Sequence, residues 1–176
     1  MDSPEATDGE VRTEAGVRVY TDGACRGNPG RGGWAWALAV PGGLYASGAD
    51  GATTNQRMEI TAALEALRFW TERAADIQVV SDSTYVVNCF KDRWWQGWQR
   101  RNWRNSQNKP VANRDLWEPL IELAVASDAR VGFRWVKGHS GDHWNDRVDE
   151  LATVAADSGV GQSYLGDWSA GREDAP

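Results

Sequence analysis

The hydrophobic period of this chain first changes near residue 55, and that change restricts the fold more than any other feature. Before it, "VRVYTDG", "GGWAWALAV" and "GGLYASGA" alternate in the manner of strands, with glycine-bearing turns between them. After it, Ile60, Ala63, Leu64, Leu67 and Trp70 recur at helical spacing and predict a helix over 55–72. "IQVVSD" follows as a buried-type strand, with a short helix from Ser83. Another helix starts at Asn113 or Asp115, "RVGFRWVKG" is a strand, and Val148, Leu151, Ala152 and Ala155 mark a last helix. Residues 91–112 fit either helix or loop. Three consecutive strands followed by alternating helices and strands predict an α/β protein, a mixed five-stranded sheet flanked by helices.

A chain of 176 residues is one domain's worth, with enough apolar content for a core. The pattern is confined to residues 17–156. Residues 1–16, five acids against one base, lack any hydrophobic period and are expected to be a disordered extension. Residues 157–176, four acids against one base, read as a flexible acidic tail, with Tyr164, Leu165 and Trp168 as its docking residues. No run of about 18 apolar residues is present, so no membrane span is expected. The acidic N-terminus has no apolar leader, and Cys25 and Cys89 do not make a disulfide framework. A monomeric, cytoplasmic protein with reduced thiols is the expectation.

A net charge of −6 argues at first against a polyanionic partner. The distribution of that charge points the other way. The two acidic ends hold most of the negative charge, and residues 91–114 carry seven bases against one acid. Within them, "KDRWWQGWQRRNWRNSQNKP" packs four tryptophans among six cations. Like charges at that density repel unless a polyanion relieves them, whereas rings at such spacing can equally build a core.

Carboxylates stand at places that packing alone would not choose. Asp22 ends the first strand before a glycine-rich turn, and Asp82 ends the central strand before a helix. Ligand sites of open α/β sheets gather outside such strand ends. Asp82 also suits the start of a helix as a capping residue. Glu59 and Asp149 border the apolar stripes of their helices, where a solvated flank residue is the ordinary reading. If all four converge, their mutual repulsion requires cations, and an all-oxygen set selects hard ions such as Mg²⁺ or Mn²⁺. His139, in the glycine-rich "WVKGHSGDHW", fits either an exposed histidine or a proton carrier beside those carboxylates. Without a third imidazole or a thiol pair near His143, zinc is not expected.

Taken together, "YTDGACRGNPGRGGWA", "TTNQRMEITAALEAL", "VVSDSTYVV", "KPVANRDLW" and "WVKGHSGDHWNDRVDELA" resemble, in order and spacing, the bacterial type 1 ribonucleases H over residues 17–156. The resemblance implies a ribonuclease H-like fold with a basic protrusion at 91–112. It also implies an endonuclease that hydrolyses the RNA strand of RNA–DNA hybrids by two-metal-ion catalysis with Mg²⁺. Products with 5′-phosphate and 3′-hydroxyl ends, and removal of RNA primers and R-loops, belong to the same expectation. The family's acidic set falls on Asp22, Glu59, Asp82 and Asp149, all present, and its loop histidine falls on His139. Asn145 matches an asparagine where that loop meets the last helix.

The resemblance further implies RNA-strand contacts at Cys25, Gly27, Asn28, Asn55 and Gln56. DNA-strand contacts are implied at Thr54 and Asn113, which match a phosphate pocket, and along the protrusion at Trp94, Trp98, Arg100, Arg101, Arg104 and Lys109. Two departures stand out: Ala52 where relatives often place arginine, and Thr84 where several carry glutamine. Two rival readings are a binding module with a dead site, against which the intact acidic quartet argues, and another nuclease of the wider fold group, integrase-like or junction-resolving, which does not share the "TDGACRGNPG" and "VKGHSG" contexts.

Overall fold

The computed structural model of the chain describes residues 16–166. The three expected strands, β1 (Val17–Gly27), β2 (Gly30–Leu38) and β3 (Tyr45–Thr53), form an antiparallel meander. Helix α1 (Asn55–Trp70) crosses to β4 (Asp76–Ser81), which pairs parallel with β1. Helices α2 (Thr84–Lys91), α3 (Trp94–Arg100) and α4 (Arg114–Ala126) precede β5 (Arg130–Trp135), parallel to β4. Helix α5 (His143–Ser158) and a two-residue strand β6 (Ser163–Tyr164) complete the order β5-β4-β1-β2-β3-β6.

The sheet therefore has six strands, one more than expected. The sixth comes from the segment read as a flexible tail. Ser47 and Gln162 exchange hydrogen bonds, and the Tyr164 ring lies 6.4 Å from that of Tyr45, so these residues cover the β3 edge. Trp168 and the acidic extension before Gly16 lie outside the described residues.

Alternation along β1 divides the core in two. Val19 faces a cluster with Ile60, Leu64 and Leu67 of α1 and Trp117 and Leu120 of α4, all nearly sealed from solvent. Tyr20 faces the other side, with Val148, Leu151 and Ala152 of α5. Each helix thus buries the apolar stripe that its spacing announced. Among the described residues, no helix is long and apolar enough to cross a membrane.

The stretch 91–112 folds as the end of α2, then α3, then turns in which Asn102, Trp103 and Asn108 take positive φ. Its rings go inward. Trp98 and Trp103 are 8% and 9% exposed, and Trp98 lies 6.4 Å from Trp94, 6.1 Å from Trp103 and 5.4 Å from Trp117. Trp117 is wholly buried and donates its indole N–H to the Tyr85 hydroxyl at 3.1 Å. The cations stay outside: Arg100, Arg101, Arg104 and Lys109 are all exposed. Arg101 and Arg104 donate to backbone carbonyls of the same arm, at 3.2 and 2.9 Å. The rings act as fasteners and the guanidiniums as surface, with Trp94 and Trp98, at i and i+4, on one face of α3.

Candidate active site

Strand β1 does not stop at Asp22-Gly23, as its alternation suggested; it runs on to Gly27 because β2 continues to pair with it. What stops is the parallel ladder. Its last rung joins Thr21 to Ser81; beyond it β1 stays with β2, while the chain after Ser81 turns into α2. Asp22 and Asp82 are each the first residue past that rung. The wedge opened where the two strands part company is a carboxyl-end site of the kind open α/β sheets provide.

Into the wedge α1 brings Glu59. Oxygens of Asp22, Glu59 and Asp82 all lie within 4.8 Å of one another. The approach of α1 depends on Gly23, where a Cβ would fall 2.4 Å from the Glu59 amide nitrogen. Ser83 Oγ donates to Glu59 at 2.8 Å and Asn55 Nδ2 donates to it at 3.2 Å. The helix-capping role open to Asp82 falls instead to Ser83, whose hydroxyl accepts from the Val86 amide. Asp82 is thereby left to face the other acids.

Asp22 is 5% exposed. Burial above all, then the charge of Asp82, pushes its carboxyl up to about 9, although the Gly23 amide donates to it at 2.9 Å; Asp149 and Glu59 push the same way. Burial raises Glu59 as well, against the opposing hydrogen bonds from Ser83 and Asn55. Asp149, on α5, stands outside the group within 4.8 Å but near enough for its charge to be felt at Asp22. Among the described residues none of the four acids forms a salt bridge. Clustered, half-buried carboxylates without a cation of their own, offering only oxygen donors, fit a hard divalent metal ion.

The loop from Val136 to Asp142 borders this cluster. His139, exposed, holds a left-handed conformation with φ 54°. Backbone in that region costs a non-glycine residue energy and is retained where the surroundings impose it. Gly138 lies against Asp82, since a Cβ there would stand 2.7 Å from the carboxylate. Sequence reasoning passed over the two posts of this arch. At one end the Trp135 indole donates to the Asp82 carbonyl at 3.0 Å and the Val136 amide donates to Ser81 at 3.0 Å. At the other, the buried Tyr20 phenol donates to Asp142 Oδ2 at 3.0 Å. Burial, then the Asp142 carboxylate, raises the phenol above its ordinary value, keeping it a donor. Asp142 also caps α5, accepting from the Trp144 and Asn145 amides. A tyrosine two residues before Asp22 was the only sequence signal for this tie.

The remaining candidates lie on two fronts. Cys25 and Gly27 lie at the end of β1, paired with Gly32 and Gly30, and Asn28 begins the turn into β2; the Asn28 side chain accepts from the Asn55 amide at 3.3 Å and so joins the turn to the start of α1. Gln56 is exposed on the same helix end. Thr54 caps α1 by accepting from the Arg57 amide. Asn113 precedes α4 with φ 61°, and its Oδ1 accepts from Arg57 at 3.3 Å, so Thr54 and Asn113 meet around one arginine. Arg57 is held there by Asp115 through two hydrogen bonds, at 3.0 and 2.8 Å.

Residues 14–157 match the family model described as RNase H. The chain is 48% identical over 145 residues to a ribonuclease H of Syntrophomonas wolfei, covering 81% of this chain and 97% of that protein. It is likewise 48% identical over 144 residues to a ribonuclease H of Pelobacter propionicus, covering 81% and 86%. Among solved structures, LC9-RNase H1, described as a type 1 RNase H with the type 2 active-site motif, superposes with a TM-score of 0.67 at 29% identity, covering 91% of this chain and 82% of that one. With its carboxylate cluster on a mixed sheet and this extent of likeness, the chain belongs to the RNase H family of endoribonucleases.

Proposed function

We propose that the protein hydrolyses the RNA strand of RNA–DNA hybrids, using two Mg²⁺ ions, replaceable by Mn²⁺, and leaving 5′-phosphate and 3′-hydroxyl ends. The observation that carries this reading is the meeting of Asp22, Glu59 and Asp82 within 4.8 Å, in a chain of this family. These three carboxylates, with Asp149 completing the set, hold the metal. Ions bound there lower the pKa of a water and stabilise the leaving oxygen of a phosphodiester. Ser83 and Asn55 keep Glu59 aimed at its neighbours. His139 carries a proton to or from the reacting phosphate region, from an exposed position next to Gly138, which itself lies against Asp82.

Substrate selection follows from shape. The β1–β2 turn with Cys25, Gly27 and Asn28, together with Asn55 and Gln56, offers small residues and amides to the RNA minor groove and its 2′-hydroxyls. Thr54 and Asn113 hold a DNA phosphate, and Arg100, Arg101, Arg104 and Lys109 attract the DNA strand further along. Trp94 and Trp98 serve this contact from within the arm, as the rings on which its cations are mounted. Such an enzyme, acting as a cytoplasmic monomer, removes RNA primers and R-loops. Incubation with labelled hybrid, duplex RNA and duplex DNA, with and without Mg²⁺, tests it. Metal-dependent cleavage of RNA in the hybrid alone is expected; binding without cleavage refutes the reading.

Charge reversal at Arg100 and Arg101 separates attraction from chemistry. The double glutamate variant should raise KM for hybrid by about tenfold or more at low salt and flatten the dependence of KM on salt. Its kcat should stay within about twofold of the parent, since phosphate contacts position the duplex without touching the reacting atoms. A collapse of kcat with KM unchanged would show that the arm had been assigned the wrong task.

A further inference from the structure

We propose that Tyr20 and Asp142 form a positioning tether that fixes the His139 loop to the strand carrying Asp22. The inference rests on the catalytic reading of His139. The loop spans Val136 to Asp142 and contains two backbone positions of positive φ, His139 at 54° and Gly141 at 86°. Within it Ser140 Oγ donates to the Lys137 carbonyl at 2.7 Å, a bond that shapes the bend but reaches no other element. Apart from the approach of Gly138 to Asp82, a segment so constructed takes its position from its ends.

Those ends are fastened to different strands. The leading end is held to β4 by the Val136 amide on Ser81 and by the Trp135 indole on the Asp82 carbonyl. The trailing end is held to β1 by the packing of α5 on that strand and, at the loop residue itself, by the hydrogen bond from the Tyr20 hydroxyl to Asp142 Oδ2. Tyr20 is 4% exposed and packed among Val148, Leu151 and Val80, so its ring has little freedom and its hydroxyl is a fixed point. Asp142 divides its oxygens: Oδ1 accepts the two amides that begin α5, and Oδ2 accepts the phenol. The carboxylate thus ties the loop, the helix bearing Asp149 and the strand bearing Asp22 at one point. Tyr20 touches no reacting atom; it acts through Asp142 on where the His139 imidazole stands relative to the Asp22 and Asp82 carboxylates.

The test is a double-mutant cycle on cleavage of a labelled hybrid, well below the melting temperature of every variant. Tyr20→Phe keeps the buried ring and deletes the hydroxyl; it should lower kcat about fivefold or more with KM for hybrid unchanged. In a His139→Ala background the same substitution should have no further effect, because the imidazole it positions is gone. Asp142→Ser retains a helix cap while removing the acceptor for the phenol, and should reproduce the Tyr20→Phe loss without adding to it. Tyr20→Phe turning over like the parent, or costing the same factor with and without His139, would overturn the tether. If His139→Ala itself were fully active, the catalytic reading of the histidine would fall, and the tether with it.

Discussion

Asp22→Asn is expected to cleave hybrid at least about 10³-fold more slowly than its parent, yet to be more stable than it when metal is absent. Both halves have one cause. Asp22 is held in a buried wedge beside Asp82 and Glu59, and its carboxyl is pushed up to about 9. Its folded-state pKa lies above the ordinary value near 3.9 of an unfolded aspartate, so the folded state binds the extra proton between those two pH values. Stability attributable to Asp22 is therefore complete below about pH 4 and is lost as pH rises toward 9.

Asparagine never ionises, so the variant escapes that loss. Its advantage should be near zero at pH 4 and reach about 2 to 4 kcal/mol at pH 7 in chelator. Calorimetric melts of the two proteins from pH 4 to 9 measure it. Added Mg²⁺ should raise the melting temperature of the parent and leave that of the variant nearly unmoved, closing the gap. A variant that melts below its parent in chelator at pH 8 would show that the carboxylates are not in conflict.

Gly23→Ala attacks the same cluster through packing. A Cβ on residue 23 would lie 2.4 Å from the Glu59 nitrogen, 2.5 Å from the Met58 carbonyl carbon and 2.8 Å from Met58 Cβ. Two of these three atoms are backbone, so no rotamer relieves the overlap, and α1 must retreat from β1 over its second turn. Overpacking of this kind costs about 1–3 kcal/mol. The functional cost is larger than the stability cost, because the displaced turn carries Glu59, and a shift of about 1 Å at a reacting centre can cost about 100-fold in rate. Leu120→Ala provides the comparison. Leu120 is fully buried in α4, and its truncation costs about 2–5 kcal/mol while leaving Gly23 and Glu59 in register. At a temperature where both variants are folded, Leu120→Ala should cleave at nearly the parental rate and Gly23→Ala should not. Equal activity of the two would remove Gly23 from the account of how Glu59 is placed.

Much of this was legible in the residues, and what was not has identifiable causes. Helix α1 showed itself through Ile60, Leu64 and Leu67, which repeat on one face long enough for the period to be unmistakable. The end of β1 did not, because alternation reports a strand but not its partners: after Thr21 the chain exchanges two neighbours for one, and only β2 tells it to continue to Gly27. Strand β6 is two residues long, too short for any period, and exists because Ser47 and Tyr45 offer an edge for it. The three carboxylates stood out as oddly placed acids, but their separation depends on how closely α1 lies on β1, a tertiary distance. The Tyr20–Asp142 tie joins residues 122 positions apart, and neither residue is unusual where it stands.

The inward rings of the basic arm bear on how the molecule carries load. Trp98 and Trp103 share a buried cluster with Val19, Ile60 and Val79, joined to it through Trp117. A segment held by few buried contacts can open locally at a free energy well below that of global unfolding. Here the cations are bolted to the same hydrophobic mass that positions Glu59, so spreading them would require breaking the main core. The spacing of Arg100, Arg101 and Arg104 is therefore underwritten by the folding free energy of the entire domain. A duplex bound at the arm, as proposed, would meet a rigid gauge, and its hold there would protect the whole domain against unfolding.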